Sequence, residues 1–109
     1  MNKISNEEII LKLLKKNNLS ITDLDFANNL YEIIGYYSFD LIKRLESDLP
    51  VKRDIQFIED LILEKNNEIQ NAIEIDLLGN LKTELSMEHT IQRFLSRSII
   101  IKNSFNSIT

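Results

Sequence analysis

Three residues in this 109-residue chain are glycine or proline: Gly35, Pro50 and Gly79. An antiparallel sheet needs turn residues every 8–12 positions or so, and three such residues cannot supply them. Leu, Glu and Lys are abundant and lose little on entering a helix, while Ile supplies apolar faces. The fold class is therefore all-α. The length suits one domain, so residues 1–109 read as a single helical unit. The expected architecture is an antiparallel bundle of four to five helices joined by short loops, with a short irregular or strand-like C-terminal tail.

Ser5-Asn6-Glu7-Glu8 is a capping-box pattern and predicts a first helix over about residues 6–16. Its apolar stripe is Ile9, Ile10, Leu13 and Leu14, and Asn17-Asn18 ends it. Thr22-Asp23-Leu24-Asp25 is a second capping pattern. Behind it Phe26, Leu30, Ile33, Ile34, Tyr37, Leu41 and Leu45 recur at spacings of three and four, which predicts one long buried face. Gly35 sits inside that face, and close packing of another backbone against it is the expected reason. Leu49-Pro50 breaks the chain. A third helix follows from Val51 or Lys52, with Ile55, Ile58, Leu61 and Ile62 facing inward and an interruption at Asn66-Asn67. Ser86 is a candidate cap for a last helix with Met87, Ile91, Phe94 and Leu95 inward. The β-branched tail SIIIKNSFNSIT reads as an edge strand or an apolar arm.

Several chemistries lack their residues. There is no cysteine, hence no disulfide and no thiolate metal site, and one histidine makes a zinc site unsupported. No glycine-rich phosphate loop is present and no nucleophile elbow accompanies the histidine. Neither a cofactor nor a metal is expected. Glu59, Asp60 and Glu64 lie close on a helix, which is the ordinary pattern of a solvated face rather than a Mg²⁺ site. No apolar run approaches the ~20 residues that cross a bilayer, and the N-terminus turns acidic at once with no apolar segment. A cytoplasmic protein that does not enter the membrane is the expectation.

Charge is unevenly spread within a net −4. Residues 54–88 hold nine acids and two lysines, whereas residues 89–109 hold Arg93, Arg97 and Lys102 and no acid. The acidic stretch disfavours contact with a phosphate backbone. It suits either the solvated faces of helices or docking of a basic protein partner, with Asp54, Glu59, Asp60, Glu64 and Glu68 as rim charges. His89, Arg93 and Arg97 are spaced four apart and would line one helix face, as an anion contact or as a polar surface. Tyr31, Tyr36 and Tyr37 lack a basic surround for base stacking, and read better as polar pins between helices.

Residues 11–42, LKLLKKNNLSITDLDFANNLYEIIGYYSFDLI, resemble the N-terminal part of the Abi-like proteins, the AbiD/AbiF abortive-infection group. The matching residues are Leu13, Leu14, Lys16, Leu19, Ile21, Asp23, Ala27, Leu30, Ile34, Gly35, Tyr36 and Tyr37. Asparagine replaces the family's link glycine, and the Gly- and Tyr-rich continuation is absent. A second segment, residues 72–83, is similar to that family's "Ala-Ile-Glu-x-Ile-Glu-x-x-Leu-Arg-Thr" helix with one additional residue. The resemblance implies the HEPN superfamily of helical ribonucleases, whose Arg-x4–6-His motif steadies a phosphate and shuttles a proton. Here Lys82 stands at the arginine position and Met87 five residues on, while His89 gives Lys-x6-His. Lysine lacks the bidentate fork and a thioether carries no proton.

The reading that follows is a non-enzymatic protein-binding module from a phage–host conflict system, either an Abi-like defence subunit or a mobile-element inhibitor such as an anti-CRISPR. One alternative is a divergent HEPN-type ribonuclease, with His89, Arg93 and Lys82 as its catalytic set and nucleic acid or a homodimer as partner. The other is a cytosolic immunity protein against a bacteriocin or toxin.

Overall fold

A computed structural model describes residues 4–84 and 88–107 of the chain. Every regular element among the described residues is helical. In order they are α1 (Asn6–Lys16), a 3-10 turn (Leu24–Phe26), α2 (Leu30–Glu46), α3 (Lys52–Leu63), α4 (Asn67–Ala72), a π turn (Ile73–Leu78), α5 (Gly79–Glu84), α6 (Glu88–Leu95) and α7 (Ile99–Asn106). Helix α4, the π turn and α5 form one continuous run, so the described chain makes six helical stretches.

Neither glycine ends a helix. Asn18, Asp48 and Lys65 adopt the left-handed conformation instead, at φ 57°, 56° and 55°. After α1 the N–H of Leu19 reaches back to the carbonyl of Leu14, and that of Asn18 to Lys15. After α2 the N–H of Leu49 reaches Arg44, and that of Asp48 reaches Leu45. Both are Schellman closures, the arrangement that satisfies orphan carbonyls at a helix end. A sequence poor in breakers thus stops two of its helices with short polar residues that tolerate this backbone, and α3 with Lys65.

The second helix starts later than the capping pattern at Thr22 predicts. Asp40 on α2 accepts the Thr22 N–H at 2.8 Å, and Asp23 sits in the left-handed region at φ 63°, so no helix propagates from there. The working cap is Asn29, whose side chain accepts the Glu32 N–H at 3.0 Å, while Glu32 accepts the Asn28 N–H at 3.2 Å. Phe26, expected in the core, is 70% exposed. The rest of the stripe holds: Leu30, Ile33, Ile34, Tyr37 and Leu41 are buried, and Leu45 packs at the core's edge.

The tail is also corrected. Ser98 caps α7 by accepting the Ile101 N–H at 3.2 Å, and its own hydroxyl donates to Glu59 on α3 at 2.6 Å. Ile101 and Phe105, one turn apart, are buried. Tertiary burial and a cap outweigh the β preference of three consecutive isoleucines. Met87 and the expected cap Ser86 lie outside the described residues. Ile91, Phe94 and Leu95 of α6 face inward as the spacing predicts.

The core centres on α2, which contacts α1, α4, the π turn and α5, and on α3, which contacts α1, α4 and α7. Phe57 of α3 meets Tyr37 of α2 edge-to-face with centroids 4.8 Å apart. Gly79 has a local reason, since a Cβ there would stand 3.2 Å from the Glu74 carbonyl oxygen, which accepts the Gly79 N–H in the π turn. Gly35 does not have the reason expected of it. Nothing lies within 4 Å of where its Cβ would stand, and α2 runs through it unbroken. No contact among the described residues accounts for this glycine.

Candidate functional site

Polar residues at core-facing positions sort into two groups, those whose partners are inside the chain and those whose partners are not. The first group begins with Tyr37, Asp54 and Arg44. Asp54 occupies the inward stripe of α3, between Val51 and Ile58, and is 1% exposed. The Tyr37 hydroxyl donates to its Oδ1 at 2.7 Å, and Arg44 grips both oxygens, Nε at 3.2 Å from Oδ2 and Nη2 at 2.5 Å from Oδ1. Burial pushes the Tyr37 phenol well above its usual value of 10.0, and the charge of Asp54 pushes it further. Burial also opposes the charge on Arg44, but hydrogen bonding and attraction to Asp54 prevail and raise it.

Asp54 is therefore not the surface rim charge expected of it. The α3 stripe alternates core and solvent, and the carboxylate falls on the core side. Three of the other four acids expected at the rim are also occupied. Glu59 is half-buried and accepts from Ser98. Asp60 accepts from Lys16, from Asn17 at 3.3 Å and from Gln56 at 3.0 Å. Partial burial would raise its carboxyl, yet those three donors hold it below the usual carboxylate range. Glu68 accepts from Asn6 at 3.0 Å. These bonds tie α1 and α7 to α3 and α1 to α4. Glu64 and Glu68 are the members that remain exposed. Asp76 on the π turn is lifted above its usual range by burial.

The expected basic face behaves differently. His89, Arg93 and Lys82 are exposed, and no hydrogen bond joins any of them to another among the described residues. Arg97 lies past the end of α6, so the helical row stops at Arg93. Arg93 and Arg97 nevertheless meet at a groove of about 340 Å³ between the α2–α3 corner and α6. Leu45, Leu49, Val51 and Phe94 give it an apolar lining, and Asp48 stands beside Arg93 at 3.8 Å. Thr90 also lines it. That residue is 4% exposed, and its hydroxyl has no hydrogen-bond partner among the described residues. A buried hydroxyl left so costs about 1–3 kcal/mol. Arg97 has no carboxylate within ion-pair distance among the described residues.

Thr90, Leu49 and Asp48 carry no motif. Thr90 alone had a legible signal: it falls on the Ile91–Phe94–Leu95 face of α6, a polar residue at an inward position. A second and wider depression of about 740 Å³ lies between α1 and the 3-10 turn, lined by Leu11, Leu24 and Phe26 among others. No three His, Asp or Glu side chains among the described residues are grouped to hold a metal ion. No described helix is long and apolar enough to cross a membrane. No protein-family model, curated protein or solved structure matches the chain.

Proposed function

We propose that this chain acts by binding a protein partner in a phage–host conflict, as a shortened Abi-like defence subunit or as an inhibitor from a mobile element such as an anti-CRISPR. It works in the cytoplasm, with its helical stretches arranged as an antiparallel bundle. The observation that carries the binding reading is the outer strip of α2. Gly35 costs the helix roughly 0.5–1 kcal/mol against alanine, and nothing packed from elsewhere among the described residues lies within 4 Å of where its Cβ would stand. One turn to either side stand the half-buried Tyr31 and Phe39, the latter 48% exposed. A bare stretch of helix backbone between two aromatic rings admits a partner closely and gives it rings to bury. Glu64 and Glu68, exposed where α3 gives way to α4, add negative charge that favours a basic partner.

The conflict setting rests on the resemblance of residues 11–42 and 72–83. In keeping with it, a π turn takes up one residue more than an α turn does. The π turn at Ile73–Leu78 lies where that resemblance carries one additional residue.

The test is capture of a host or phage protein by the immobilised chain in stoichiometric amount. Phe39→Glu should abolish capture without lowering Tm, and reversal of Glu64 and Glu68 should slow association. Capture that survives Phe39→Glu rejects the strip. The ribonuclease rival is favoured by one feature, Arg93 one turn from His89 on α6. RNA cleavage by the purified chain, abolished in His89→Ala, would replace the binding reading. Protection from a co-expressed toxin would assign the immunity role instead.

A further inference from the structure

We propose that the groove between the α2–α3 corner and α6 binds an aliphatic carboxylate, one negative charge carried on a branched apolar body. This site is separate from the α2 strip and does not depend on it. Three observations converge. The lining of Leu45, Leu49, Val51 and Phe94 is apolar, and Leu49 is 53% exposed, so the groove offers surface that gains from being covered. Arg93 and Arg97 stand at the same groove, and each guanidinium presents a planar fork matched to a carboxylate. Thr90 is one of its lining residues, and the buried Thr90 hydroxyl has neither donor nor acceptor partner among the described residues. Native interiors rarely leave such a group unpaired, and a ligand oxygen is the partner that would complete it.

The charge count selects a carboxylate over a phosphate. Arg93, Arg97 and Asp48 leave one positive charge uncompensated at the groove. A monoanion neutralises it, whereas a phosphate dianion would leave excess negative charge beside Asp48. Val51 caps α3 without a side-chain acceptor, which adds the positive end of a 12-residue helix at the groove's edge. The volume, about 340 Å³, is at the lower end of small-molecule sites. It has room for a short branched acid or for the terminal residue of a polypeptide. Both present the same chemistry.

The test titrates the full-length ¹⁵N-labelled chain with N-acetyl-leucine, its carboxamide, 4-methylpentanoate and inorganic phosphate. Saturable shifts of the α6 amides are expected with the two carboxylates and not with the carboxamide. Tighter binding of N-acetyl-leucine by about threefold or more assigns a polypeptide end, and the reverse assigns a free acid. Affinities closer than that assign the carboxylate and branched body alone. Arg97→Gln should weaken binding by roughly tenfold or more. Thr90→Val should raise the Tm of the unliganded chain yet weaken binding several-fold, a pair of signs that a packing role alone would not give. Absence of saturable shifts overturns the proposal. So does equal binding of the carboxamide, tighter binding of phosphate, or unchanged affinity in Arg97→Gln or Thr90→Val.

Discussion

The α2–α3 corner and the α6 wall each place a polar side chain on the inward stripe of a helix, yet they treat it in opposite ways. Asp54 is met by Tyr37 and Arg44, and its oxygens receive three hydrogen bonds. The Thr90 hydroxyl has no such partner among the described residues. The corner is self-contained, since its donors and acceptor satisfy each other out of water and nothing outside the chain is needed. The wall is open, because two arginines and Thr90 line a half-apolar groove, and among the described residues neither the Thr90 hydroxyl nor Arg97 has a partner. The lesson is that burial of a polar group identifies structure when its bonds close within the chain, and marks a place to test for an outside partner when they do not.

Breaking the closed corner should have the largest effect. Arg44→Met leaves the Asp54 carboxylate, 1% exposed, without its counter-charge. A loss of about 3–5 kcal/mol is expected, read from urea unfolding at neutral pH. If the loss stays within the range of an exposed ion pair, below ~1 kcal/mol, the corner is not the structural anchor described here.

Tyr37→Phe is the milder cut at the same place. It removes one hydrogen bond to a charged acceptor but leaves Arg44 in place, so about 1–2 kcal/mol should be lost. It also has a pH signature. The folded-state value of Tyr37 is raised above 10.0, so its stabilisation is complete below about pH 10 and is lost as pH rises through the folded value. Wild-type stability should fall on going to more alkaline pH, and the phenylalanine variant should lack that part of the fall.

How much of this was legible depends on which forces set each element. The all-helical class followed from three breakers in the whole chain, and the stripes of α1, α3 and α6 followed from helical spacing because those helices bury one face each. The start of α2 did not. Thr22 and Asn29 both carry capping chemistry, and the choice is made by Asp40, eighteen residues away, taking the Thr22 N–H. The tail shows the same limit. Its isoleucines favour strand locally, and Glu59 on α3 supplies the bond that holds the Ser98 cap. Asp54 as a rim charge was the instructive error. An acidic run suggests a solvated face, but position 54 falls one turn before Ile58 on the inward stripe of α3. The groove was least legible, since Leu45 and Val51 lie far from Thr90 in sequence and meet it only through packing.

The open wall should respond in the other direction. Thr90→Val keeps the shape of the side chain and removes the hydroxyl that lacks a partner, so the unliganded chain should gain about 1 kcal/mol. Substitution of Ser98, a buried hydroxyl whose bonds are closed, is the matched control. Ser98→Ala should lose a similar amount through its cap and its bond to Glu59. Opposite signs at two buried hydroxyls of similar exposure would show that partners, rather than burial, decide the sign. Matching signs would erase the contrast.

Gly35 extends the contrast from side chains to backbone, at the smallest scale. Its conformation is helical and its Cβ position is open, so alanine fits without displacing any neighbour. Gly35→Ala should stabilise the isolated chain by about 0.5–1 kcal/mol, chiefly through lower backbone entropy in the unfolded state. At this chain length that is a rise in Tm of a few degrees. Gly35→Leu reaches farther into that space, and its Tm is expected to stay near that of the wild type. The two substitutions part only when a partner is present. If the bare helix strip is where a partner's backbone approaches, leucine blocks it and alanine weakens it, while the fold of both improves or holds. If both variants bind as the wild type does, the glycine serves nothing that touches α2, and the strip between Tyr31 and Phe39 is ordinary surface.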